Sequence, residues 1–275
     1  MRVTLVTLLA LVALVASAGS GTPEPTQVAQ LVTDFGLRLF RAALAARGDT
    51  NVVFAPYGAT SVLVALQVAT AGRGRRQLEV ATGFSIDGPG VSAELRGLRR
   101  ALGGPGHTLE VAQGVFVARG VALRGGFVTR LARALGPRSL ARLDLANGEG
   151  ARRVLNAWAR ARTRGLVAGL VAPGAVAPGA RLLVASAEFF GGSWAVPFPP
   201  RATRARPFLR PGDSGDSGDT APMMEVTLRL RCGEPGDTWG HLFSLETSWD
   251  LRGPLKALGV LDLFDPERAD FSPLT

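Results

Sequence analysis

Arg181–Phe190, RLLVASAEFF, is the longest convincing strand in the chain and decides the fold. It is apolar on both faces, which implies a central position in a sheet that is covered on both sides. Its one acidic residue, Glu188, is the exception, because a lone carboxylate in a buried strand is costly unless it is paired.

Towards the amino terminus, helices dominate. Val28, Leu31, Val32, Phe35 and Leu39 recur at three- and four-residue spacing, so Thr26–Ala46 is predicted to be a helix with one apolar stripe, ended by Gly48-Asp49. Asn51–Tyr57 reads as a short buried strand stopped by Pro56, and Ala59–Ala69 as a helix apolar almost all round. A short basic helix is expected near Arg75–Ala81. Val91–Leu102 is amphipathic, with Val91, Leu95, Leu98 and Leu102 on one face and Arg96, Arg99 and Arg100 on the other. Thr108–Val117 suits a strand with Leu109, Val111, Val115 and Val117 on one side. Phe127–Leu135 is a short helix, Ser139–Leu145 a strand, and Ala151–Leu170 a helix carrying Trp158 among arginines.

Beyond Phe190, Trp194–Pro200 is an extended turn and Asp213–Asp219, with its Asp-Ser-Gly repeat, a solvated loop. Ala221–Leu230 and His241–Leu251 have strand character, and Leu255–Leu261 makes a helical turn or two. Helix is concentrated early and strand late, which makes the fold class α+β rather than a parallel doubly wound sheet.

Composition agrees. Gly and Pro, at 35 and 18 of 275 residues, are well above average usage and predict short, interrupted elements. The apolar share of 47% excludes a disordered chain. The single cysteine, Cys232, leaves no internal disulfide, so the fold must rest on its core. Net charge is +9, carried by 31 basic residues of which Lys256 alone is lysine, and the field favours anionic partners. Arg2, the apolar run Val3–Val15 and Ala16-Ser17-Ala18 form the pattern of a secretory signal over residues 1–18, cut near Ala18 or Gly19. The apolar run is shorter than the roughly 20 residues that span a bilayer.

Catalytic patterns are lacking. His107 and His241 are the only histidines, and no metal-ligand spacing occurs. Gly191-Gly192-Ser193-Trp194-Ala195 approaches a nucleophile elbow but lacks the last glycine, and Pro197 follows where a helix should start. The chain is therefore not read as an enzyme, and no cofactor is implied.

Seven collinear segments resemble the serpin family, and within it the branch that inhibits plasminogen activators. They are NVVFAPYGATSVLVALQVATAG (51–72), TGFSID (82–87), LNAWARARTRGLV (155–167), LLVASAEFFGGSWAVPF (182–198), PMM (222–224), FSLETSWDL (243–251) and ADF (269–271). The resemblance implies a serpin domain over 26–275, with helices packed around a central, mostly antiparallel sheet. It implies a secreted, extracellular inhibitor of trypsin-like serine proteases that limits fibrinolysis. Its implied partners are plasminogen activators, heparin-like glycosaminoglycans and vitronectin. About ten residues, Cys232–His241, stand where the family carries much of its second and third sheets, and the chain ends at Thr275, where the family continues into its reactive loop. A chain of this form is expected not to inhibit a protease, and unpaired inner strand edges are expected to make it poorly soluble.

Two groups of site residues follow from the resemblance. Arg96, Arg99, Arg100 and Arg152 match or adjoin the family's glycosaminoglycan-binding positions, where guanidinium forks suit sulfates; an ordinary solvated face of an arginine-biased protein fits the same pattern. Ala55, Pro56, Ser186, Phe190 and Trp194 fall in the shutter, where the main sheet opens. The family usually has Ser at Ala55 and Asn at Ser186, and an apolar residue at Glu188. A non-inhibitory polyanion-binding protein and a piece of an incomplete gene remain alternative readings of the chain.

Overall fold

The computed structural model describes residues 26–47, 55–102, 107–192 and 250–275. The elements are α1 (Gln27–Arg47), α2 (Pro56–Ala69), α3 (Gly72–Thr82), α4 (Val91–Leu102), β1 (His107–Ala118), α5 (Gly125–Leu135), β2 (Leu140–Leu143), α6 (Gly148–Arg162), β3 (Leu182–Gly192) and α7 (Arg252–Ala257), followed by a 3-10 turn at Asp262–Phe264. Helices pack around a sheet, which is the α+β class that the sequence implied.

Helix α2 is the centre of the molecule. Leu63, Val64, Ala65, Val68 and Ala69 are each no more than 1% exposed, as an apolar circumference requires. Its one long polar side chain, Gln67, is also buried and is satisfied on both ends of its amide. Nε2 donates to Thr82 Oγ1 (2.9 Å) and Phe84 O (3.1 Å), and Oε1 accepts from Ile86 N (2.8 Å). That network ties the link between α3 and α4 to the core. The α1 stripe Val28, Val32, Phe35 and Leu39 is buried as the spacing predicts. Where α1 meets α2, Gly36 permits a close approach: a Cβ there would lie 2.6 Å from Pro56 Cβ.

The described sheet has the order β2-β1-β3. β1 pairs antiparallel with β3 from His107↔Gly192 to Val117↔Leu182, and parallel with β2 from Val115↔Leu140 to Ala118↔Leu143. β3 is apolar on both faces because both are covered. Ala185 and Ala187 face the α6 side, in clusters with Trp158, while Val184 joins the main core. His241–Leu251, expected to extend the sheet, lies outside the described residues up to position 249.

Three helices, α2, α6 and α7, differ in their boundaries from the sequence reading. Pro56 opens α2, so the strand expected over Asn51–Tyr57 does not reach Pro56 and Tyr57, while its residues 51–54 lie outside the described residues: proline lacks the N–H that a first helical turn leaves unpaired, and its φ is preset. α6 starts earlier, where Asn147 Oδ1 accepts from Gly150 N at 2.8 Å. It also ends earlier. Thr163 Oγ1 donates to Ala159 O and accepts from Val167 N, and Arg164 turns to φ 53°, leaving the helical path. Finally, α7 precedes the expected Leu255–Leu261 turns, and Gly259 at φ 87° ends it. Leu255, Val260 and Leu263 then fold back into the core beside Phe35 and Leu39.

Candidate functional site

The first turn of α2 sits over the face of the sheet that carries Gln113, Ser186 and Glu188. Strand alternation puts these on one side: Gln113 is directly opposite Ser186, and Val111 opposite Glu188. Gln113 Nε2 donates to Ser61 Oγ at 2.6 Å, and Ser61 Oγ donates to Tyr57 O at 2.9 Å, so the helix and β1 are joined through a serine one turn in. Gly58 lies over β3. A Cβ on it would collide with Glu188 Oε1 and stand 2.8 Å from Ser186 Oγ, so the glycine is what lets the Glu188 carboxyl fit.

Burial pushes Glu188 up to about 8, against weaker opposition from Ser186 and from the charge of Arg99 on α4. Tyr57 is likewise raised by burial, with Arg99, Gln113 and Ser61 acting against it and Glu188 reinforcing it. Although Ser186 Oγ is near enough to favour the carboxylate, it lacks hydrogen-bond geometry. Gln113 Oε1, Ser186 Oγ and Glu188 Oε1 are buried with no hydrogen-bond partner. Ala55 is extended and supplies no side-chain cap to α2. Of the residues expected in the shutter, the structure places Ala55 and Pro56 at the start of the helix and Ser186 beneath its first turn. Phe190, near the end of β3, is 58% exposed, and Trp194 lies outside the described residues.

On the other side of β1 from β3, Arg99 borders a cleft of about 210 Å³ whose walls include Gln113, Arg138, Trp158 and Arg162. Trp158 packs edge-on against Phe116, with centroids 5.2 Å apart and an interplanar angle of 87°. Arg96 Nη1 donates to Arg133 O at 3.0 Å and so holds α4 against α5. Arg96, Arg99 and Arg100 are exposed together on α4. Arg152 is elsewhere engaged, bonded to both carboxylate oxygens of Glu149 at 2.8 and 2.5 Å. The structure therefore groups Arg138 and Arg162 with Arg99. Sequence reasoning missed Gln113, although a glutamine among Leu109, Val111, Val115 and Val117 on the inward face was its signal.

The geometry has relatives. The serpin (serine protease inhibitor) family pattern matches residues 30–238. The chain is 33% identical to plasminogen activator inhibitor 1 of Neovison vison over 309 positions, covering 91% of this chain and 76% of that protein. Glia-derived nexin of Homo sapiens is 24% identical, with 91% and 77% covered. Among solved structures, native protease nexin-1 with heparin superposes with a TM-score of 0.73 at 20% identity, over 92% of this chain and 83% of that one. Emu ovalbumin superposes with a TM-score of 0.62 at 19% identity, over 72% and 55%. The 309 aligned positions exceed the 275 residues present, so the relatives carry internal residues that this chain does not. With its sheet, its buried second helix and this sequence kinship, the chain belongs to the serpin family of serine protease inhibitors.

Proposed function

We propose that this is a secreted serpin whose lineage is directed at plasminogen activators, in a form that does not itself trap a protease. The observation that carries the target class is the 33% identity to plasminogen activator inhibitor 1 across 91% of the chain. Inhibition in this family inserts a loop strand into the main sheet, a use of strand addition as mechanism. On this reading, the internal residues that the relatives carry and this chain does not are needed to complete the slot for that strand. Incubating the 275-residue chain with a plasminogen activator and with trypsin should give no SDS-stable complex and leave protease activity intact. A stable complex would overturn the second half of the proposal, and one formed with trypsin alone would also overturn the target class.

A second reading is favoured by Arg96, Arg99 and Arg100 standing exposed on one helix, beside Arg133. It gains support from a structural relative solved with heparin. On this reading the chain is a glycosaminoglycan-binding extracellular protein, with vitronectin as a further partner in the same setting. On heparin resin, Arg96→Ala with Arg100→Ala should elute at lower salt than wild type, since phosphate- or sulfate-type contacts weaken with salt. Arg152→Ala should move elution less, because Glu149 already satisfies that guanidinium. Unchanged elution of the double variant would exclude the α4 face.

A further inference from the structure

Three buried polar atoms without partners lie on the one sheet face that α2 covers, Gln113 Oε1 from β1 and Ser186 Oγ and Glu188 Oε1 from β3, and their chemistry is lopsided. Gln113 Oε1 can only accept, and its amide nitrogen is already committed to Ser61 Oγ. Ser186 has one proton to give. Glu188, if ionised, can only accept. With a carboxylate at 188 the cluster therefore holds more acceptors than donors, and its buried oxygens stay unmet, each at the cost of an unmade hydrogen bond. A proton on Glu188 corrects the count, because the carboxylic acid brings the one donor that the cluster lacks.

We propose that Glu188 is a proton-operated latch: as a carboxylic acid it donates its one hydrogen bond to Ser186 Oγ, whose own proton is then free for Gln113 Oε1 directly across the strands, and so closes β3 against the first turn of α2, and loss of that proton loosens the contact. This deepens the reading of the same region as the place where a serpin sheet opens. Gly58 has no side chain to compete for the space, and a Cβ there would strike the carboxyl.

The surroundings agree. α2 contributes no charged residue and only Tyr57 as a titratable one. On the β1 face towards the cluster, Leu109 to Val117 present Leu109, Val111, Gln113, Val115 and Val117, none of them ionisable. α4 contributes Arg99, whose charge favours the carboxylate but does not outweigh burial. Burial places the titration near 8, so the latch is closed in mildly acid solution and opens as pH rises through the neutral range into the alkaline. The sign follows. An acid whose folded value is raised gives its full stabilisation below its unfolded value of 4.5 and loses it progressively as pH climbs through about 8.

The test uses the 275-residue chain, wild type and Glu188→Gln. Infrared spectra of the folded wild type should contain a buried carboxylic-acid carbonyl band at pH 6 that disappears on titration with a midpoint near 8, and Glu188→Gln should lack that band. In parallel, the unfolding constant of wild type relative to Glu188→Gln should rise with pH between 5 and 8, by up to about tenfold per unit. Should Glu188→Gln not fold, Glu188→Leu, which cannot ionise, takes its place in both comparisons. No Glu188-dependent acid band at pH 6, or parallel stability profiles for wild type and the neutral variant, would overturn the latch. Neither measurement involves a protease, so failure here leaves the inhibitor reading standing, and the reverse also holds.

Discussion

Two glycines inside helices should respond to the same substitution with opposite signs. Gly36 lies in α1 and Gly97 in α4. By propensity alone, Gly→Ala within a helix gains about 1 kcal/mol. At Gly97 nothing stands within 4 Å of the added carbon, so the gain is free to appear. At Gly36 the new Cβ falls 2.6 Å from Pro56 Cβ and 2.8 Å from Cγ. Carbon atoms rest at roughly 3.5–4.0 Å, so about 1 Å of separation must be found. A flexible side chain could swing away, but a proline ring at the first position of α2 cannot, and α1 and α2 must part. Overpacking of this kind costs about 1–3 kcal/mol, to which the offset propensity gain must be compared. Gly36→Ala is therefore expected to be destabilising by up to about 2 kcal/mol net, and Gly97→Ala to be stabilising by about 0.5–1 kcal/mol. Urea unfolding followed by tryptophan fluorescence reads both from the shift in midpoint at constant slope. A Gly36→Ala chain as stable as wild type would refute the claim that the two helices touch through that glycine.

Other consequences are checkable. Gln67→Leu should cost about 2–4 kcal/mol, since the Ile86 N–H is left buried without an acceptor and Thr82 loses a donor; a loss below 1 kcal/mol by denaturant titration would contradict that pairing. Asp87 takes bonds from Arg75 at 2.6 Å and from Arg130 at 2.8 Å; burial works against its charge, but the two arginines together hold it below the usual carboxylate range. Its stabilisation is present above the unfolded value of 3.8 and is lost as pH falls through its lower folded value, so Asp87→Asn should destabilise near pH 7 and the difference should vanish in strong acid. Because Asp87 is half exposed, the effect at neutral pH should stay under about 1 kcal/mol; a difference that persists at pH 2 would argue against the ion pair as its source.

Much of this was legible in the sequence because burial writes periodicity. The α1 stripe, the all-round apolar α2 and the doubly covered β3 each follow from a pattern that only one packing satisfies. Pro56 was harder, because a proline after an apolar run ends a strand as readily as it opens a helix, and only the sheet beyond it decides. The end of α6 was illegible because apolar residues continue past Thr163, whose hydroxyl turns the chain by taking up local backbone groups. Glu188 stood out as an anomaly. That it shares a cluster with Gln113, Ser61 and Gly58 depends on strand register and on helix placement, neither of which a linear pattern encodes. For the same reason, Arg152 was expected from the resemblance to join the glycosaminoglycan-binding arginines, while its guanidinium is taken by a neighbour three residues away.

The packing of residues 252–274 onto the amino-terminal helices has a consequence for biosynthesis. Ala71 N donates to Asp270 O at 2.9 Å, Arg124 N to Leu274 O at 3.1 Å, and Leu255 and Val260 cover Phe35 and Leu39. On a ribosome adding about 5–20 residues per second, α1 waits on the order of ten seconds or more for the segment that completes its cover. Throughout that interval its apolar stripe is a binding surface for chaperones. Part of the cover of Phe35 and Leu39 is therefore supplied only once residues 255–263 have emerged.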